Sequence, residues 1–231
     1  MPEMMEIYKG YAPQYDELVN AEDYENNFSN FLLSEFDWSG SIVMEAGIGT
    51  GRVSKIYLDQ ITFLYGFDRE PHMLKAAGRN LSKWSDKVKI AEGDNIALPS
   101  ISKKADIFIE GWSFGHTMIE NKGTMAETFD RIFASVKTNL RSGGRFVIIE
   151  TMGTNVLTAA PPIQELADFY SILQNKYGFK QEVISTDYRF ESLKEAVRIC
   201  GFFFGEEMAK EIQEKGSPIV GEYTGLFHLT V

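Results

Sequence analysis

The order of apolar and amphipathic segments predicts an α/β fold of the Rossmann-like, doubly wound type. From residue 41 onward, short and nearly all-apolar runs alternate with longer segments of helical spacing, and this alternation is typical of βαβ units around a parallel sheet. A turn with three glycines joins the first apolar run to the first amphipathic segment. We therefore expect a mostly parallel, seven-stranded sheet with an antiparallel last strand and an N-terminal helical cap.

Seven segments are predicted to be strands. Most are short and apolar at nearly every position, which suits strands that helices cover on both faces. They span residues 42–45, 63–67, 88–91, 107–110, 145–150, 182–190 and 223–231. The last of these is expected to run antiparallel to the others.

Helices are predicted between the strands and at the N-terminus. Apolar residues recur there at intervals of three and four positions, and Pro71 stands where a first helical turn tolerates proline. The predicted helices span 52–60, 71–83, 124–140, 163–177 and 193–214. One or two further helices are expected within residues 1–40, packed over the sheet edge or the mouth of a pocket.

Composition and charge exclude several classes of partner. The formal net charge is −10, whereas nucleic acids and anionic membranes are bound through clustered Lys and Arg. The chain has one cysteine, Cys200, so a disulfide framework is excluded and a reducing cytoplasm is expected. Residues 1–9 lack a signal-peptide pattern, and we find no apolar run long enough to span a bilayer. We expect a cytoplasmic protein, monomeric or homodimeric.

The turn after the first predicted strand favours a positively charged ligand. It reads Glu-Ala-Gly-Ile-Gly-Thr-Gly over residues 45–51, and glycines at the carboxyl end of a parallel strand let the backbone approach a ligand closely. A dinucleotide fingerprint requires Gly-x-Gly-x-x-Gly, but the sixth position here is Arg52 or Ser54. The acid Glu45 beside the turn would repel a pyrophosphate and attract a cation.

Four segments, in order, resemble the motifs of class I S-adenosylmethionine-dependent methyltransferases. They are the glycine turn, Gly-Phe-Asp-Arg-Glu-Pro-His-Met-Leu over 66–74, Ala-Glu-Gly-Asp-Asn-Ile-Ala-Leu-Pro over 91–99 and Ala-Asp-Ile-Phe-Ile-Glu-Gly-Trp over 105–112. Asp68 follows Gly47 by 21 positions, close to the roughly 20-residue separation at which an acid reaches ribose hydroxyls in this architecture. The segment 8–18 is similar to the tyrosine-containing segment that leads many small-molecule members.

This resemblance implies S-adenosylmethionine as cofactor and S-adenosylhomocysteine as product. It places the glycine turn beneath the methionine part, Asp68 on both ribose hydroxyls, Met73 against the adenine and Asp94 near the adenine amino group. The cofactor-binding residues it implies are Tyr15, Glu45, Gly47, Gly49, Gly51, Asp68, Arg69, Met73, Asp94, Asn95, Glu110 and Trp112. The chain is then a single methyltransferase domain with a cap over 1–40, a cofactor-binding core over 41–151 and a substrate-side half over 152–231.

Few residues are candidates for acid–base chemistry. His116 follows the fourth predicted strand, at the sheet edge where ligands bind, and we predict that it acts as a base or binds the acceptor, since its pKa suits proton transfer near neutrality. Glu150 ends the fifth strand and either faces the acceptor or caps a loop. The acidic run 22–25 is expected to be solvated, and no Cys or His cluster predicts a metal.

Aromatic residues are candidates for the pocket walls, with core packing as the alternative for each. Trp112 and Phe114 follow the fourth strand, and Tyr188 with the run 202–204 lies in the C-terminal part. An aromatic face attracts a cation, which would suit the sulfonium.

The predicted acceptor is a small molecule. The fourth-strand loop reads Glu-Gly-Trp-Ser and lacks the Asn/Asp-Pro-Pro-aromatic signature by which related enzymes methylate amide or base amino groups. Two alternatives remain open, a noncatalytic module that binds S-adenosylmethionine and a nucleotide-cofactor oxidoreductase.

Overall fold

The computed structural model describes residues 10–231. Its main strands are β1 (Ile42–Ala46), β2 (Phe63–Asp68), β3 (Val88–Glu92), β4 (Ala105–Gly111), β5 (Leu140–Thr154), β6 (Lys180–Ser185) and β9 (Glu222–Thr230), while β7 (Tyr188–Arg189) and β8 (Ile219–Val220) form a separate pair. The helices are α1 (Ala12–Val19), α2 (Asn27–Glu35), α3 (Ser54–Tyr57), α4 (Pro71–Asn80), α5 (Phe114–Glu120), α6 (Met125–Asn139), α7 (Gln164–Asn175), α8 (Leu193–Phe204) and α9 (Glu206–Lys215).

The main sheet has the predicted architecture. Its strand order is β3-β2-β1-β4-β5-β9-β6; β1 to β5 pair in parallel, and β9 pairs antiparallel with both β5 and β6. The antiparallel last strand is thus confirmed. The strand order reverses between β1 and β4, and in such sheets ligands bind beyond the carboxyl ends of the strands at this switch point.

Side-chain alternation along the strands gives the sheet two apolar faces. Successive residues of a strand point to opposite faces: Met44 and Phe146 join the core on one side, whereas Val43 and Val147 join the core on the other. All four are fully buried, and each contributes about 1.5–3 kcal/mol relative to exposure. This rigid centre holds the carboxyl ends of the strands in place.

Several predicted elements differ in length from the observed ones. The single helix predicted over 193–214 is two helices, because Gly205 has a φ of +103°, which helical backbone does not allow. The strand predicted over 182–190 ends at Ser185, and Thr186 instead donates its N–H to the Glu222 carbonyl. The helix predicted over 52–60 is confined to Ser54–Tyr57.

The N-terminal cap is confirmed as helical from residue 10 onward. Helices α1 and α2 occupy it, with Phe28 and Leu32 of α2 buried. Residues 1–9, including Tyr8 and Lys9 of the tyrosine-containing segment, lie outside the described residues.

Candidate cofactor and acceptor site

Two adjoining cavities lie beyond the carboxyl ends of the parallel strands. The first is bordered by the loops after β1, β2, β3 and β4; the second, of about 270 Å³, extends from it toward β5, β9 and α8. Tyr15, Trp112 and His116 border both cavities. Of the residues implied for the cofactor, the first cavity brings together Tyr15, Gly47, Gly49, Asp68, Arg69, Met73, Asn95 and Trp112.

The glycine turn forms the floor of the first cavity. Gly47 and Gly49 have φ values of +61° and +55°, in the left-handed region that favours glycine. A Cβ at Gly47 would lie 2.2 Å from Ser113 Oγ, while a Cβ at Gly49 would meet only the Gly47 carbonyl oxygen, at 3.9 Å. Gly51 does not line the cavity; its own Cβ would lie 2.8 Å from the Leu81 side chain, so its small size serves packing.

Asp68 joins the glycine turn to the end of β2. Its Oδ2 accepts from the Gly49 N–H at 2.8 Å and its Oδ1 from the Glu70 N–H at 2.9 Å. Burial raises the pKa of Asp68, and these two backbone bonds oppose the increase. Each oxygen can accept a further hydrogen bond, because a carboxylate oxygen accepts about two bonds, and Asp68 borders the first cavity. The carboxylate is therefore suited to accept from a pair of hydroxyls.

Glu45 does not lie where the sequence argument placed it. Its carboxylate is 1% exposed and borders neither cavity; Oε2 accepts from Ser54 Oγ at 2.5 Å and from the Tyr57 hydroxyl. Burial raises the pKa of Glu45 to about 7. The expected attraction between Glu45 and a cationic cofactor is thus replaced by a bond network beneath the turn.

The remaining residues implied by the second and third motifs divide into two groups. Arg69 pairs bidentately with Glu120, at 2.9 and 2.8 Å, and Met73 is buried beside it in the cavity wall. Asn95 donates to Thr117 Oγ1 at 3.1 Å and also borders the cavity. Asp94 is exposed and instead accepts from the Ile96 N–H at 2.7 Å, so the structure does not bring it to the cavity.

The residues after β4 shape the boundary between the two cavities. Glu110 is fully buried and its Oε2 accepts from the N–H groups of Ser113 and Phe114, so it supports the start of α5 instead of bordering a cavity. Trp112 has a φ of +53°, which is rare for a bulky residue and is found at functional sites. The Arg52 guanidinium lies 4.1 Å from the centre of the Trp112 ring.

His116 and Phe114 have different environments, although both belong to α5. Phe114 is fully buried in the core, which is the alternative considered for it. His116 is half-buried and borders both cavities. Burial lowers the pKa of His116, although Glu120 opposes this effect, so the imidazole is neutral near pH 7.

The second cavity is lined by residues that are far apart in the sequence. It is bordered by four residues that the sequence analysis named as candidates for this part of the site: Tyr188, Phe203, Phe204 and Glu150. Glu22, Arg52 and Glu222 also border it, and sequence reasoning missed all three. Glu22 was expected to be solvated, but its side chain is 3% exposed and its Oε1 lies 2.8 Å from Arg52 Nη2. No local motif could have found this group, because only the topology brings its members together.

Residues 10–231 contain neither a candidate metal site nor a candidate membrane-spanning helix. No cluster of three or more His, Cys, Asp or Glu side chains there has an arrangement that could hold a metal ion. The helices described in that range include none that is long and apolar enough to cross a bilayer.

Comparisons with known proteins agree with the geometry of the first cavity. A family model described as a methyltransferase domain matches residues 44–148. An uncharacterized methyltransferase of Geobacillus sp. (strain WCH70) is 29% identical over 154 residues, which cover 64% of this chain and 68% of that protein. Among solved structures, the complex of DhpI with S-adenosylhomocysteine superimposes with a TM-score of 0.58 at 14% identity, covering 96% of this chain and 94% of that one.

Another structural relative also carries the cofactor. Phosphoethanolamine N-methyltransferase 2 of Haemonchus contortus, in complex with S-adenosylmethionine, superimposes with a TM-score of 0.59 at 14% identity, covering 100% of this chain and 60% of that one. The matched family model spans the glycine turn, Asp68 and the β4 loop, which are the parts that build the first cavity. Residues 44–148 thus match a methyltransferase domain, and the sequence relatives and the fold support the class I S-adenosylmethionine-dependent methyltransferase family for this chain.

Proposed function

We propose that this enzyme methylates a small molecule that binds in the second cavity while S-adenosylmethionine occupies the first. The observation that supports this is the shared border: Tyr15, Trp112 and His116 line both cavities, so a ligand in one meets a ligand in the other at these side chains. The cofactor supplies an electrophilic methyl group next to a positively charged sulfur. The volume of about 270 Å³ is close to the lower end, about 300 Å³, of the range of small-molecule pockets. It therefore suits a small, metabolite-sized acceptor.

The residues that border the first cavity offer suitable partners to each part of the cofactor. Asp68 offers two carboxylate oxygens to the ribose hydroxyls, and Met73 provides an apolar surface for the base. The N–H groups and small size of the glycine turn suit the methionine part. Because Glu45 is withdrawn, we assign the recognition of the cofactor to Asp68, the turn and the loop that contains Trp112.

The chain's contribution to methyl transfer is mainly positional. Holding an acceptor atom in line with a methyl carbon and excluding water lowers the barrier without covalent chemistry by the protein. His116 is placed at the shared border and is neutral near pH 7, and a neutral imidazole can accept a proton or a hydrogen bond from the acceptor. The negative net charge of the chain supports a small acceptor over a nucleic acid.

Binding and turnover test the two parts of the proposal separately. The Asp68→Asn variant keeps the size of the side chain but removes one acceptor oxygen and the charge, so we expect the Kd for S-adenosylhomocysteine to rise by roughly 10- to 100-fold, equivalent to about 1.5–3 kcal/mol. Isothermal titration calorimetry measures it. Asp37→Asn is the matched control, since Asp37 is exposed and borders a different cavity, which lies near the start of β1.

Turnover requires an assay that does not assume the acceptor. A labelled methyl donor is incubated with a small-molecule metabolite extract, and labelled products are identified by mass spectrometry. We expect a labelled small molecule from the wild type and none from Asp68→Asn at low donor concentration. Tight binding of the cofactor with no labelled product would instead support a noncatalytic module, and unchanged affinity in Asp68→Asn would contradict the site assignment.

A further inference from the structure

The second cavity has more acidic than basic side chains on its walls. It is bordered by three acids, Glu22, Glu150 and Glu222. Of the lysines and arginines among the described residues, only Arg52 borders it. Glu150 and Glu222 are each 3% exposed, and the Glu22 side chain is equally buried. Burying a carboxylate costs free energy unless the group is paired or fully hydrogen-bonded, so each of these acids requires a partner.

The single arginine is already committed to one of these acids. Arg52 Nη2 lies 2.8 Å from Glu22 Oε1, and the guanidinium also lies over the Trp112 ring at 4.1 Å. Burial lowers the pKa of Arg52, but the charge of Glu22 and its neighbours more than offsets that effect, so the net pKa is raised. Arg52 and Glu22 therefore neutralise each other, and two acids remain.

The two remaining acids differ in how well they are satisfied. Glu150 Oε1 accepts from the Gly115 N–H at 2.6 Å. Glu222 Oε1 accepts from Thr151 Oγ1 at 2.9 Å. The Thr154 hydroxyl also lies near the carboxyl and lowers its pKa, but no donor meets hydrogen-bond geometry at the buried Oε2. A buried polar atom without a partner loses its water for no compensating bond. Glu222 Oε2 is thus the position in the cavity wall where a positive charge or a hydrogen-bond donor from a ligand would compensate for the lost water.

Aromatic side chains make up the wall around these acids. Tyr188, Phe203, Phe204 and Trp112 all border the cavity, and Tyr188 and Phe204 lie with their ring centres 6.5 Å apart. An aromatic face attracts a cation, most strongly where water is excluded. Carboxylates combined with aromatic faces are the chemistry that binds organic ammonium groups, while an anionic ligand would meet net repulsion here.

We propose that the acceptor of this enzyme is a small organic ammonium ion, which binds in the second cavity with its charged nitrogen against Glu222 Oε2 and the aromatic wall. This inference depends on the proposed function, because it names the substrate class for that cavity. It concerns recognition of the charged nitrogen and assigns no covalent step to it. Burial, and then the charge of Glu22, raise the pKa of Glu222 to about 8, so the carboxyl is mostly protonated at pH 7 in the empty cavity; a cation beside it lowers this pKa and favours the carboxylate.

Three probes of nearly the same shape and different charge test the inference. Choline carries a trimethylammonium group, 3,3-dimethyl-1-butanol replaces its nitrogen by carbon, and 3,3-dimethylbutanoate is an anion with the same branched end. Each is titrated by calorimetry into the full-length protein saturated with S-adenosylhomocysteine. We expect choline to bind at least about tenfold more tightly than the alcohol and the anion to bind most weakly.

Two variants identify the groups responsible. Glu222→Gln removes the charge at the unpartnered oxygen and is expected to lower the affinity for choline by about tenfold without changing that for the alcohol. Phe204→Leu keeps an apolar side chain but removes an aromatic face, and it is expected to weaken choline selectively as well. Glu182→Gln is the matched control, since Glu182 is an exposed acid of β6 that lines neither cavity.

The outcomes separate this inference from the proposed function. Equal binding of choline and the alcohol, including no measurable binding of either, overturns the inference, as does tighter binding of the anion or an unchanged affinity in both variants. If labelled small-molecule products are still formed in that case, the proposed function stands and only the substrate class is wrong. If S-adenosylhomocysteine does not bind or no product is formed, the proposed function itself fails.

Discussion

Two acidic residues that end neighbouring strands have opposite environments. Asp68 faces the first cavity and accepts from Gly49 and Glu70, whereas Glu45 accepts from Ser54 and Tyr57 beneath the turn. Alternation along β1 explains the difference: Glu45 points to the same face as Val43, and α3, which contains Ser54 and Tyr57, packs on that face. Sequence position at a strand end therefore does not decide which acid meets the ligand; the direction of the side chain does.

The withdrawn position of Glu45 predicts a stability effect without a binding effect. Its pKa is raised from the ordinary 4.5 to about 7 by burial. As the pH rises through this window, the unfolded chain gives up its proton before the folded chain does, so the wild type loses stability, by on the order of 3 kcal/mol in total. Glu45→Gln cannot titrate, and it should lack this loss while its affinity for S-adenosylhomocysteine stays within about twofold of wild type.

Urea unfolding at pH 5 and at pH 8, together with calorimetry, checks this prediction. The quantity to compare is the difference in the free energy of unfolding between the two pH values, because a constant cost of the glutamine then cancels. Glu182→Gln, at an exposed position, should retain the wild-type difference. A strong loss of cofactor affinity in Glu45→Gln would show that this side chain reaches the ligand after all.

A methyl group added at Gly115 is predicted to disturb the second cavity and to leave the first cavity unchanged. A Cβ there would lie 2.7 Å from Glu150 Oε2 and 2.8 Å from Leu166 Cδ2, closer than real contacts allow, so Glu150 must move. Gly115→Ala should therefore lower methyl transfer by roughly tenfold or more, since small displacements of positioning groups have such effects, while binding of S-adenosylhomocysteine is retained. Gly123→Ala is the control, because nothing lies within 4 Å of a Cβ at Gly123. Equal turnover of the two variants would contradict a role of this wall in acceptor binding.

Elements were predictable from the sequence where local pattern determines them. The apolar runs located β1 to β5 and β9, because strands buried on both faces have few polar positions. The helix α5 was missed although Ser113 stands at its N-cap. The Ser113 side chain makes no capping bond there; Glu110, from the end of β4, accepts from the N–H groups of Ser113 and Phe114 instead. Most residues of the first cavity were predictable as neighbours for the same reason as the strands, since they follow strand ends.

The second cavity could not be predicted from local sequence patterns. Glu22, Arg52 and Glu222 come from the N-terminal cap, the glycine turn and the last strand, and no periodicity links them. Glu22 belongs to an acidic run that is usually solvated, and only its ion pair with Arg52 explains its burial. Such a group is determined by tertiary packing and is visible only in the structure.

Helix α1 contributes to the walls of both cavities and contacts two other helices. Tyr15 borders both cavities, Glu17 pairs with Arg198 of α8 at 2.9 Å, and the Ala12 N–H donates to His72 of α4 at 3.3 Å. The helix is short, and only Ala12, Leu18 and Val19 of it are buried. Elements with few buried contacts open at a small cost in free energy, and a ligand that contacts them makes opening less frequent.

Hydrogen exchange is expected to detect this coupling. Amides of α1 should exchange more slowly once S-adenosylhomocysteine is bound, by roughly tenfold or more at saturating ligand, because opening then requires loss of the ligand's contact with Tyr15. Mass spectrometry of peptides that cover residues 12–19 measures it. Amides of the buried helix α6 exchange only when the whole chain unfolds, so they should stay protected, with or without ligand, at the early times at which α1 exchanges. Unaltered exchange in α1 would mean that this helix does not cover the bound cofactor.

At the scale of the whole molecule, one sheet carries both cavities. Strand β9 lies between β5 and β6, so the C-terminal half is hydrogen-bonded directly to the parallel core. β5 itself runs without a break from Leu140 to Thr154, across the boundary at residue 151 that the sequence suggested between core and substrate side. Acceptor binding and cofactor binding thus depend on the same continuous core, and we expect the chain to unfold as a unit.

Thermal unfolding tests that expectation and the cofactor assignment together. The continuous sheet predicts one cooperative transition, and a ligand that binds only the folded state raises its stability by about 2.7 kcal/mol at a concentration of one hundred times the Kd. For a chain of this size, each kcal/mol shifts the Tm by about 2–4 °C, so S-adenosylhomocysteine should raise it by roughly 5–11 °C. In Asp68→Asn, the same ligand concentration should produce a much smaller shift. Two transitions, of which the ligand moves only one, would show that the regions before and after residue 151 unfold independently, because only a shared core makes ligand binding in the first cavity stabilise the walls of the second.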